Sequence, residues 1–167
     1  KALTSASNNT AVGDYAGDAV TTGTNVVAVG NGALGAKTTG TNNVGVGVGA
    51  GSSITTQNHN TFIGTQSGRI CEDSQNVAMG AFSFYDATTA GDSTCVGGWA
   101  GENITTGDAN TCVGKSAGSS ILAGANNTAI GNSANQVTTT GENTTMVGIL
   151  CRSSGVDVDN EVVLGSN

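Results

Sequence analysis

Few residues in this chain carry reactive side chains. His59 is the single histidine, and Cys71, Cys95, Cys112 and Cys151 are the four cysteines. A zinc site needs its ligands at characteristic spacings around a tetrahedron, and these five residues match none of them. A serine or cysteine nucleophile needs a base to activate it, and the sequence sets no obvious base beside one. Asp86 and Glu102 are the carboxylates a glycan-cleaving acid–base pair would draw on, but nothing in the pattern around them singles them out. Asp157, Asp159 and Glu161 form the one acidic run, which reads as a solvated turn rather than a metal site. The calcium-binding nonapeptide, with its Gly-Gly-x-Gly-x-Asp core, is absent.

Two glycine-rich stretches mimic nucleotide sites. Gly30-Asn31-Gly32-Ala33-Leu34-Gly35 fits the dinucleotide-binding glycine pattern. That motif must open a helix and be followed by an acidic residue, whereas Thr38-Thr39-Gly40 follows here. Residues 109–116 end in Gly114-Lys115-Ser116 and fit a relaxed phosphate loop, but they are one ordinary copy of a repeat. Asn8, Asn103, Asn126 and Asn143 open glycosylation sequons that the same repeat generates. No catalytic residue, cofactor or metal is expected. The net charge of −7, with five Lys and Arg, argues against nucleic acid and against an anionic membrane surface. No apolar run is long enough for a transmembrane helix.

One stretch stands apart. Phe82, Phe84, Tyr85 and Trp99 replace small or polar residues, close to Arg69, Cys71, Glu72 and Asp73. Exposed aromatics concentrate at binding sites, so these four are the candidate contact for a glycan or receptor. Local packing is the competing explanation.

The rest of the chain must be a scaffold, and its composition says which kind. Gly contributes 27 residues, Thr 24, Asn 18 and Ser 15, with no Pro and only 10% charged residues. These are poor helix formers, and collagen is excluded for want of Pro. The apolar residues are strictly ordered. A Gly that closes a short aliphatic run recurs at positions 13, 30, 47, 64, 80, 97, 114, 131, 148 and 165. Every spacing is 17 residues except the 16 between Gly64 and Gly80. The residue before this anchor is always apolar, and the third before it is always Thr or Val. Side chains alternate across a strand, so those two columns share a face and the column between them points the other way.

A second apolar step at Val20, Ile54, Ile70, Ile104, Ile121 and Val137 suggests a second short strand, and Thr-Thr-Gly turns and Asn pairs close each coil. The whole chain, 1–167, is predicted to be one parallel β-solenoid or β-roll of ten 17-residue coils. Stacked at about 4.8 Å per coil it would be a rod roughly 45–50 Å long. Asn columns, with His59 as a substitute member, would bond from coil to coil. Cys95 and Cys112 fall in one column of adjacent coils and are expected to be buried thiols. The flanking columns are expected to form the core. The middle column (Ala11, Ala28, Phe62, Ala78, Cys95, Cys112, Ala129 and Met146) is expected to face a neighbouring chain in a closed homotrimer.

Asn9-Thr10-Ala11-Val12-Gly13 and Asn127-Thr128-Ala129-Ile130-Gly131 resemble the head repeat of trimeric autotransporter adhesins. With the Thr-Thr-Gly turns included, the repeat is more similar still to those of phage tail fibres. The resemblance spans essentially the whole chain. It implies a trimeric left-handed β-roll segment of an extracellular or virion appendage that serves host attachment. Lys1 at the start and Gly165 near the end suggest a piece of a longer fibre. The alternatives are a bacterial adhesin head and, in another class, an ice-binding solenoid. For the latter the Thr-Thr turns are a poor match, broken at Glu72-Asp73 and Leu122-Ala123.

Overall fold

A computed structural model describes residues 6–36 and 39–165. Lys1 and Thr38, on which two of the expectations above fall, lie outside the described residues. The described residues form ten three-residue strands: β1 (Thr10–Val12), β2 (Val27–Val29), β3 (Val44–Val46), β4 (Thr61–Ile63), β5 (Val77–Met79), β6 (Thr94–Val96), β7 (Thr111–Val113), β8 (Thr128–Ile130), β9 (Thr145–Val147) and β10 (Val162–Leu164). They make one parallel sheet in sequence order, each strand paired with the next. The fold is a parallel β-solenoid, one strand per coil. Register is strict: Thr10 pairs with Val27, and Thr94 with Thr111.

The strands are short because a glycine ends each one. The anchor glycines from Gly13 to Gly148 hold φ between 124° and 145°. L-residues with a side chain rarely adopt such angles. Space forbids one as well, since a Cβ on Gly47 would sit 2.5 Å from the Gly64 carbonyl oxygen of the next coil.

The expected second strand is absent among the described residues. From Gly13 to Gly131, positions two and four after the anchor are left-handed, as at Tyr15 (φ 56°) and Gly17 (φ 56°), so the chain cannot stay extended. This wall is a ladder of turns, tied locally by bonds such as Ala33 N–H to the Gly30 carbonyl (3.2 Å) and between coils by bonds such as Leu34 N–H to the Ala50 carbonyl (2.9 Å). The apolar step also sits one residue later than expected in two coils. Cys71 and Thr138 are fully buried in the column of Ile54, Ile104 and Ile121, while Ile70 and Val137 are half-buried.

The interior is narrow, and three columns fill it. The middle strand residues face the alanines of the turn wall, such as Ala33, Ala50, Ala100 and Ala117. Glycines make room for two of the large residues: Leu34 lies against Gly45 and Gly51, and Phe62 against Gly51 and Gly68.

A buried asparagine ladder closes the third side. Asn43 Oδ1 accepts the Asn60 N–H (2.9 Å), Asn60 Oδ1 accepts that of Asn76 (2.8 Å), and Asn76 Oδ1 that of Ser93 (2.9 Å). Each amide nitrogen then donates to a carbonyl of the neighbouring corner, as Asn127 Nδ2 does to Gly141 (2.9 Å). Buried backbone groups that the short strands leave unpaired are satisfied in this way.

Candidate binding surfaces

The structure inverts the expected faces of the sheet. Ala28, Phe62, Ala78, Cys95, Cys112, Ala129 and Met146 are 0% exposed within a single chain. They point into the coil and cannot meet a neighbour. Ala11, in the first described strand, shares their column but is exposed, and it lines a cavity with Val20, Val26 and Ala28. The reason is volume. A 17-residue coil leaves room beside its alanine wall for Ala, Cys or Gly, with an occasional large residue set against glycine. The β-branched columns are therefore turned outward.

The outward face carries Thr or Val in one column and an aliphatic or Met residue in the other. Along it, Val12, Met79, Val113, Ile130 and Leu164 are exposed, and Val29, Val46, Ile63, Val96 and Val147 are half-buried. Neither column holds a charge in any coil. The face is thus a continuous, uncharged strip, and its Thr members run unbroken through Thr94, Thr111, Thr128 and Thr145 on β6 to β9.

The second surface is the outer corner of coils four to seven. Phe82 and Trp99 stack with ring centroids 5.9 Å apart and planes 9° from parallel. The Tyr85 ring tilts against Phe82 at 5.7 Å. The Arg69 guanidinium lies 4.1 Å above the Tyr85 ring centre and reaches Asp86 Oδ1 at 3.5 Å. The Lys115 ammonium stands 5.6 Å from the Trp99 ring centre. Burial, and then the nearby Asp86 charge, push the Glu102 carboxyl above its ordinary value. Three of the four predicted aromatics are therefore brought together. Phe84 is not one of them: it is 1% exposed and packed in the core, because its position in the coil points inward.

The corner is conformationally costly. Phe82 (φ 56°) and Trp99 (φ 58°) occupy the left-handed site that Gly32 and Gly49 hold in other coils. A side chain there costs about 1–2 kcal/mol.

The remaining reactive residues have structural places. His59 (φ 59°) sits in the left-handed corner column of Asn8, Asn25 and Asn42, its Nε2 3.1 Å from Asn42 Nδ2. All four cysteines are buried free thiols, with Cys95 beside Cys112 in register. Contact with Cys112 and burial hold the Cys95 thiol well above its ordinary pKa, and burial pushes Cys71 up to about 11. The acidic run serves backbone groups: Asp159 Oδ1 accepts the Glu142 N–H of the previous coil (2.8 Å), and Glu161 Oε2 accepts the nearby Ser154 N–H (2.9 Å).

Arg69, Asp86, Glu102 and Lys115 were not among the aromatic candidates, although a signal for them existed. Arg69, Tyr85 and Glu102 each lie five residues after an anchor, so the repeat itself aligns them. No protein-family model, curated protein or solved structure matches the chain.

Proposed function

We propose that this chain is a structural attachment protein: a self-associating β-solenoid shaft or head segment of a phage tail fibre or similar extracellular appendage, holding a host-binding surface away from its base. The observation that supports it is the uncharged outward strip of Val, Ile, Met and Thr running the length of the sheet. A soluble chain rarely leaves such a strip open, and depletion of charge is the mark of an interface core. Two further copies packed on it would give the parallel homotrimer that the repeat resemblance implies. A bacterial adhesin head would use the same face in the same way, differing in what flanks the segment.

A second reading uses that face differently. Thr94, Thr111, Thr128 and Thr145, with Val96, Val113, Ile130 and Val147 beside them, form a periodic array of hydroxyls and methyls on one face of the sheet. Left uncovered, such an array suits ordered water, which favours ice binding.

Light scattering with and without reductant separates the two. A stable mass of three chains in both conditions is expected for the fibre. A folded monomer overturns the fibre reading, and thermal hysteresis then decides for or against ice.

A further inference from the structure

The aromatic corner is larger than the repeat requires. At the position of Phe82 and Trp99 most other coils hold Gly, Ser or Gln, with Tyr15 and Leu150 the other large residues, and at that of Tyr85 no other coil holds an aromatic. The left-handed turn is common to the coils, so what it does not require is two large rings stacked from successive coils with Tyr85 beside them.

The cluster also has unused bonding capacity. Arg69 Nε is buried without a partner among the described residues. The Lys115 ammonium has its ring contact alone, and no hydrogen bond to the Glu102 carboxylate is formed among the described residues. Phe82, Trp99 and Lys115 come from successive coils, so the stacked rings and the ammonium share one surface. The backbone beneath is rigid: Phe82 N–H bonds to the Thr65 carbonyl (2.9 Å), Trp99 N–H to Ala81 (3.0 Å) and Asp86 N–H to Glu102 (3.0 Å).

We propose that Phe82, Tyr85 and Trp99, with Arg69, Glu102 and Lys115, form a binding site for a neutral saccharide. The site deepens the attachment reading and rests on it. A sugar ring presents an apolar C–H face to an aromatic ring and hydroxyls to its rim. Trp99 offers the face once Lys115 swings aside, and Lys115, Arg69 and Glu102 then take hydroxyls as donors and acceptor. Two cations, Arg69 and Lys115, balance two carboxylates, Asp86 and Glu102. The site is locally neutral on a chain of net charge −7, which selects an uncharged sugar over a sialylated, sulfated or phosphorylated one. A preorganised site of this kind binds without a cost for ordering loops.

Trp99 is the only tryptophan, so its emission reports on the site directly. The chain is titrated with neutral gluco-, galacto- and manno-oligosaccharides, and applied to an array that also carries sialylated and sulfated glycans. A saturable emission change with at least one neutral sugar is expected, insensitive to salt. Phe82→Ser and Glu102→Gln should weaken it by about tenfold or more with thermal unfolding of the coils retained. Binding to charged glycans alone overturns the neutral-sugar assignment. Equal binding by wild type and both variants overturns the site while leaving attachment through another surface intact. No binding to any sugar also overturns the site, and the oligomeric mass then judges the fibre reading independently.

Discussion

The Phe62 ring fills the space that Gly68 leaves empty: a Cβ on Gly68 would lie 2.3 Å from Phe62 Cδ1. The two residues face each other across the narrow interior, and Gly51 flanks the same ring from the preceding coil, where a Cβ would lie 2.7 Å from Cδ2. Large and small are thus matched across the coil rather than along the chain. Two other coils do it in reverse, with Leu34 and Phe84 on the turn wall opposite Ala28 and Ala78.

This pairing makes Gly68 intolerant of substitution. Gly68→Ala adds left-handed strain (φ 59°) to a clash with the ring. Overpacking alone costs about 1–3 kcal/mol. Phe62→Ala should cost about 3–5 kcal/mol through its cavity. The double variant Phe62→Ala/Gly68→Ala should lose less than the sum of the two, since the added methyl enters the vacated space. Thermal unfolding followed by circular dichroism reads all three, and strict additivity would refute the pairing.

The asparagine ladder predicts a graded response at Asn110. Its Oδ1 accepts the Asn127 N–H (2.9 Å), and its Nδ2 donates to the Gly107 and Gly124 carbonyls (2.9 Å each). Asn110→Leu leaves three buried backbone groups unpaired, at about 1–3 kcal/mol for each group. Asn110→Ser should be milder, because Ser93 already serves the ladder by accepting the Asn110 N–H through its Oγ (3.1 Å). Equal melting points for the two variants would contradict this account.

The buried thiols give stability a falling limb at high pH. Cys71 has its folded pKa raised from 9.0 to about 11, and Cys95 is shifted in the same direction. Below pH 9 both states keep the proton, and stability is full. Above it the unfolded chain releases the proton first, so stability falls as pH rises from 9 towards 11. For Cys71 the loss is about 2–3 kcal/mol. Cys71→Ala should flatten that limb in denaturant titrations at a series of pH values. The same burial predicts that thiol reagents label the native chain only as it unfolds.

Charge placed on the outward strip should disrupt assembly and spare the coil. Val113 and Ile130 lie on the outward face of the strands, so Val113→Asp/Ile130→Asp leaves the inward columns of the coil unchanged. The variant is expected to remain folded by circular dichroism and to lose self-association in sedimentation. An unaltered oligomer would move the interface elsewhere.

Much of this molecule is legible in its sequence. The 17-residue spacing of the anchor glycines, with Thr or Val three before and an apolar residue one before, determines the parallel register, the number of coils and the column each residue joins. Register follows from the repeat because identical columns stack only when successive coils align. The same logic placed His59 in the Asn corner and Phe82 beside Trp99.

The tertiary structure alone decided which side of each strand faces inward. Alternation assigns residues to two faces but leaves them unlabelled, and here both faces are apolar. Interior volume breaks the tie: an alanine-lined coil takes Ala28 and Cys95 inside and turns Val29 and Val96 out. The fate of the second apolar step and of Phe84 was decided by the left-handed turns after each anchor, which rotate side chains in a way that a period-two pattern does not describe. The corner that joins Arg69, Tyr85, Trp99 and Lys115 likewise depends on side-chain directions fixed by those turns, which stack four coils' worth of unrelated residue types into one surface.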